Sequence, residues 1–161
     1  MMSAIWAAFT ILFLAAAVSD ARTYRIPNWI SLALVALFVV AAAVSGQPVV
    51  SFWPHLAVGA SVFALGYGLY ILTGMGAGDA KLSAAAALWA GFSGFYFWAF
   101  TLALTMSLLA LALIVARRVL PAGEAPRPKV FQKGAPVPLG VAIGLATIAA
   151  SWQFDGALWA F

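Results

Sequence analysis

Two of the four acidic residues stand where they could do chemistry. Asp20 closes one apolar stretch, and Asp79 opens another directly after "TGMGAG". Two close carboxylates suit hydrolysis, because both do not ionise together and the pair shares a proton. The ionised member takes a proton from water, and the protonated one polarises a carbonyl and then protonates the leaving amine. This route needs no covalent intermediate and no metal or other cofactor. Each aspartate also has a plainer reading. Asp79 suits a helix N-cap after a glycine turn, and Asp20 suits a solvated helix end beside Arg22 and Arg25. On the residues alone both readings stay open.

The other reactive residue types are sparse. The chain has no cysteine, so disulfides, thiolate metal sites and cysteine nucleophiles are excluded. A single histidine, His55, is too little for a zinc site. Glu124 falls in a polar connection and Asp155 near the C-terminus, and both read as solvated charges.

The elements that position Asp20 and Asp79 are apolar. The 161 residues suit one domain (1–161), 66% of them are hydrophobic, and only 7% are charged. No Asp, Glu, Lys or Arg occurs between Ile26 and Gly78, or between Leu82 and Ala116. About 20 apolar residues cross a bilayer core, so each run holds two spans. The reading is an all-α, polytopic membrane protein. Six spans fit, near residues 3–19, 27–44, 54–73, 79–90, 96–120 and 137–152. "SGQP" ends the second and "GFSGF" divides the fourth from the fifth. The first stretch lacks a positive n-region and reads as a retained helix, not a cleaved signal.

The cations fix the orientation. With both termini outside, the first, third and fifth loops are cytoplasmic. They hold Arg22 and Arg25, then Lys81, then Arg117, Arg118, Arg127, Lys129 and Lys133, which are all eight Lys and Arg residues. This is a positive-inside pattern. It puts Asp20 and Asp79 at one membrane depth, on the cytoplasmic side. The net charge of +4 thus points to the membrane and not to a nucleic-acid partner. The basic fifth loop reads as mobile and solvated, with anionic lipid headgroups as a second reading. Trp6, Trp53, Trp89, Trp152 and Trp159 fit an outer aromatic belt and Trp29 an inner one, whereas Trp98 reads as packing. Gly59, Gly66, Gly68, Ala84–Ala87, Gly140 and Gly144 suit close helix approach within one chain.

At this point the motifs resemble a known family. "GAGD" (Gly76–Asp79) with Lys81 matches the GxGD-x-K pattern of type IV prepilin peptidases. The segment from Asp20 through Arg25, Ile26, Pro27 and Asn28 is similar to the family's first aspartate segment, with its Arg-Ile-Pro-Asn run. "KGAPVPLGVAIG" resembles the stretch opening the last helix, although Leu139 stands where tyrosine is common. The resemblance implies a membrane aspartyl endopeptidase that cuts cationic leaders from prepilins at the inner face of a bacterial cytoplasmic membrane. It makes Asp20 and Asp79 the catalytic pair. Gly76 and Gly78 would let backbone approach closely, and Arg25, Pro27 and Asn28 would shape the loop beside Asp20. Lys81 is an interface anchor or an electrostatic neighbour of the acids. The family's larger members carry a cysteine-paired cytoplasmic insertion and also methylate pilins. This chain has neither cysteines nor a long first loop, and so resembles the small peptidase-only enzymes of tight-adherence (Flp) pili. Two other classes stay open from the residues: an ion- or proton-coupled transporter or channel using the two acids, and a non-catalytic pilus-assembly scaffold.

Overall fold

The computed structural model describes residues 2–119, 129–132 and 134–154. They form α1 (Met2–Thr23), α2 (Asn28–Ser45), α3 (Trp53–Thr73), α4 (Ala77–Val119) and α5 (Leu139–Ala150), with 3-10 turns at Val49–Phe52, Lys129–Phe131 and Ser151–Gln153. No strand occurs among the described residues. The expected all-α class therefore holds. Four segments are long and apolar enough to cross a membrane: α1, α2, Val49–Thr73 and α4; Leu139–Gln153 is shorter but also apolar. The chain is a multi-pass membrane protein.

The helix starts follow local chemistry. Pro27 is extended at φ −60°, ψ 134°, and α2 starts after it. Pro54 occupies the first turn of α3, where no amide donor is needed.

At 43 residues α4 would be about 64 Å long if straight, roughly twice a bilayer core. It is not straight. Gly91, at φ 61° and ψ −172°, lies in a region that side-chain-bearing residues avoid. The chain doubles back there. On the first limb, Ala80 lies against Gly66 and Leu88 against Gly59, so this limb runs antiparallel to α3. On the second limb, Trp98 Nε1 donates to Thr147 Oγ1 at 2.9 Å, and Arg117 Nη2 donates to the Pro136 carbonyl at 3.2 Å. Tyr24, just past α1, donates to the same carbonyl at 3.1 Å. Both ends of α4 thus return to the Asp20 end of the molecule.

The reversal is wedged by a buried ring. A side chain at Gly91 would come within 2.5 Å of His55, which is itself 2% exposed and has Nδ1 2.9 Å from the Leu88 carbonyl. The break is one residue, since Phe92–Phe95 of the expected five-residue interruption are helical.

Trp89 departs from the aromatic-belt expectation. It is fully buried, packs on Phe9 and Phe38, and donates from Nε1 to the Leu34 carbonyl at 3.0 Å. An indole whose N–H finds an internal acceptor has no need of the interface. Trp29, Trp53 and Trp152 are exposed as expected, Trp98 is buried packing, and Trp159 lies outside the described residues. Gly140 and Gly144 receive α1, whereas a Cβ at Gly68 would meet no other described element within 4 Å. Most of the basic fifth loop (120–128 and 133) also lies outside the described residues.

Candidate active site

Helical register explains how the two aspartates meet. The buried face of α1 runs Ile5, Phe9, Phe13, Ala16 and Asp20, a spacing of three or four residues. Asp20 therefore ends the core-facing stripe and points into the bundle. It is 5% exposed, which removes its reading as a solvated helix end. On α4, Asp79 leads a similar stripe through Leu82 and Ala86 to Trp89. The two stripes lock where Phe9 and Trp89 pack with ring centres 4.7 Å apart. Asp20 lies eleven residues after Phe9, and Asp79 ten before Trp89. Those offsets correspond to about 16 and 15 Å of helix rise. Antiparallel helices pinned at one contact thus deliver both carboxylates to one level.

There they line one cavity of about 500 Å³, and the charge of Asp20 acts on Asp79. Asp79 is half-buried in the first turn of α4. The helix begins at Ala77, so Asp79 is not its N-cap residue. Its Oδ2 sits over Gly76, 2.6 Å from where a Cβ would be. Asp20 is held from across the sequence. Val141 N–H, at the start of α5, donates to Asp20 Oδ2 at 3.3 Å, and the Gly140 amide faces the same carboxylate. Gly140 has no room for a side chain, because a Cβ would lie 2.9 Å from Asp20 Cγ and 2.7 Å from Ile26 Cδ1.

Residues 7–116, which include both aspartates, match the type IV leader peptidase family. The chain belongs to that family. No curated protein and no solved structure matches it. Family membership makes the chain a peptidase, a hydrolase whose substrate is a prepilin.

The remaining predicted residues cluster around this peptidase's cavity. Arg25, Pro27, Asn28, Gly76 and Gly78 all line it. Gly78 lets Ile26 close, with Ile26 Cβ 3.1 Å from a would-be Cβ. Ile26 is therefore a wedge between α4 and α5. Lys81 lies at the rim and not on the cavity wall. Its Nζ donates to Asn28 Oδ1 at 2.9 Å, tying α4 to α2.

Sequence reasoning missed part of the frame. Gly140 read as a packing glycine and Val141 was not singled out, yet both amides face Asp20. The available signal was the family-like "PLGVAIG" stretch. Tyr24 was also missed. It lines the cavity at φ 54°, a left-handed backbone uncommon for tyrosine, and its amide donates to the Asp20 carbonyl at 2.9 Å. Ser19 Oγ donates to the Arg25 carbonyl at 2.7 Å, folding the loop back onto α1. Among the described residues no three potential metal ligands come together.

Proposed function

We infer that this peptidase is of the aspartic type, with Asp20 and Asp79 as its catalytic pair. One carboxylate takes a proton from a water molecule held in the cavity. The other polarises the scissile carbonyl and then protonates the leaving amine. The observation that carries this reading is the meeting of the two carboxylates on one cavity, from positions 59 residues apart in a sequence with few other acids. The amides at the start of α5 hold Asp20 in a fixed orientation, which pre-pays the ordering of a reactive group.

The substrate is a single-span prepilin, cut after its cationic leader at the cytoplasmic membrane face of a bacterium. Six helical limbs cross the membrane with both termini outside. This rests on the reversal at Gly91 and on Arg22, Arg25, Lys81, Arg117 and Arg118 all falling at the cavity end of the helices. The absence of cysteine and the short first loop support a peptidase-only enzyme of the Flp type. The family match favours hydrolysis over an ion pathway.

The test is co-expression with candidate prepilins from the host, with cleavage read by gel shift and N-terminal mass. Wild type releases the leader; Asp20→Asn and Asp79→Asn do not. Cleavage surviving either substitution would exclude that residue from the pair.

A further inference from the structure

A second depression opens beside the catalytic cavity, and its character is the opposite. It has a volume of about 710 Å³ and lies between α2 and α3, both of which pack on the first limb of α4. Leu32 and Val35 of α2 and Leu56 and Phe63 of α3 line it, together with Ala84 and Leu88 of α4. From Asn28 to Val35 the groove follows about 10 Å of helix rise. It adjoins the active site: Asn28 lines both depressions, and Lys81, which also lines the groove, is bonded to Asn28.

We propose that this groove is the docking surface for the apolar helix of the substrate, which it holds in the bilayer so that the leader junction enters the Asp20–Asp79 cavity. The proposal rests on the leader-peptidase reading and adds where the substrate's second half binds. Three observations favour a helix. The shared Asn28 places an occupant of the groove next to the cavity. Gly59, Ala60 and Ala84 give the groove small residues, which let a helix backbone come close in lipid. The third observation separates a peptide from a lipid chain. Ser31 lines the groove, is 7% exposed, and its Oγ has no hydrogen-bond partner among the described residues. Ser31 Oγ leaves unused the acceptor one helical turn back, the Pro27 carbonyl, which takes the Ile30 amide at 3.1 Å. A buried hydroxyl without a partner is costly in an apolar setting. After a rotation about χ1, a peptide carbonyl or polar side chain in the groove completes it, and an acyl chain offers no acceptor.

The chain contains no cysteine, so site-directed crosslinking needs no background removal. A cysteine at Leu32, 71% exposed on the groove, is compared with one at Leu111, 59% exposed on the second limb of α4. Each is paired in membranes with prepilins carrying single cysteines along the apolar segment, and joined by a short thiol crosslinker. The expected result is crosslinking at Leu32→Cys that recurs every three to four substrate positions, with none at Leu111→Cys. In parallel, Ala60→Trp fills the groove away from the aspartates. It should raise KM about tenfold for the intact prepilin with kcat little changed, and leave residual cleavage of a peptide lacking the apolar segment unaffected. Equal crosslinking at both positions, or enzyme–enzyme crosslinks in place of substrate ones, would overturn the groove while cleavage by wild type preserved the peptidase. Efficient cleavage of the truncated peptide would also overturn it. No cleavage by folded wild type would remove the function and the groove together.

Discussion

The two ends of the bundle are built by opposite means. At the Trp89 end, large rings meet: Phe9, Phe38 and Trp89 pack together, and His55 wedges the turn at Gly91. At the Asp20 end, small residues meet: Gly76, Gly78 and Gly140 bring backbone against Asp79, Ile26 and Asp20 around an open cavity. The closed end sets the register of α1 and the first limb of α4, and the open end uses that register to bring two carboxylates together. Stability and chemistry should therefore separate along the length of the same helices.

The largest effect expected at the open end comes from the aspartates. Asp20→Asn and Asp79→Asn should each lower leader cleavage by roughly 10²–10⁴-fold, the range for losing a positioned acid or base. Thermal unfolding in detergent should show both variants folded. If either variant unfolds at the wild-type temperature yet cleaves normally, the open end is not where the chemistry occurs.

The closed end should respond in the opposite sense. Trp89→Ala removes a fully buried indole and its bond to Leu34. A loss of about 3–5 kcal/mol is expected for such a truncation, seen as a lower unfolding temperature and a smaller folded yield. The fraction that folds should keep a near-normal KM. Full stability with lost activity would break the division between the ends.

How much of this was legible from sequence divides along the same line. The apolar runs and the cation placement were enough for the membrane class, and the observed α2 and α3 lie within one residue of the expected spans. Asp20 and Asp79 were legible from the residues only as a possible pair, through their shared membrane depth, and the GxGD resemblance carried the rest. Trp89 was not legible. Its neighbours come from α1 and α2, and a tryptophan near a helix end looks the same whether it faces headgroups or Phe9. Gly140 was illegible for a related reason. A GxxxG spacing announces close approach without saying what approaches, and here one glycine meets the Asp20 side chain while the other meets the Phe13 backbone.

That contrast between two glycines of α5 gives a finer test. A methyl at Gly140 would lie 2.9 Å from Asp20 Cβ and Cγ, so Gly140→Ala must move the carboxylate or the helix. Displacements of about 1 Å at a reacting group cost up to roughly 10²-fold in rate, and a fall of that order in kcat is expected. A methyl at Gly144 would instead meet the Phe13 carbonyl at 2.8 Å, one to two turns away from the aspartates. Gly144→Ala should lower the unfolding temperature more than it lowers kcat. Equal activity losses in the two variants would mean that α5 acts only as a packing helix.

The smallest effect expected belongs to Lys81. Its ammonium bonds Asn28 Oδ1 in an exposed setting, and among the described residues it makes no ion pair with either aspartate. An exposed polar link of this kind is worth little, so Lys81→Gln should change cleavage by no more than about threefold. The more informative readout is the dependence of rate on pH. A charge acting on the carboxylate pair would displace the whole profile when removed, whereas a strap between α4 and α2 would leave its shape and position alone and change only its height. Lys81→Arg completes the comparison, because it keeps the charge but places a larger, planar donor against Asn28. If the glutamine profile overlays wild type and the arginine variant is the more impaired, Lys81 acts through the geometry of the rim. If the glutamine profile moves and arginine restores it, the cation belongs to the electrostatics of the catalytic pair, and the open end depends on a charge as well as on its glycines.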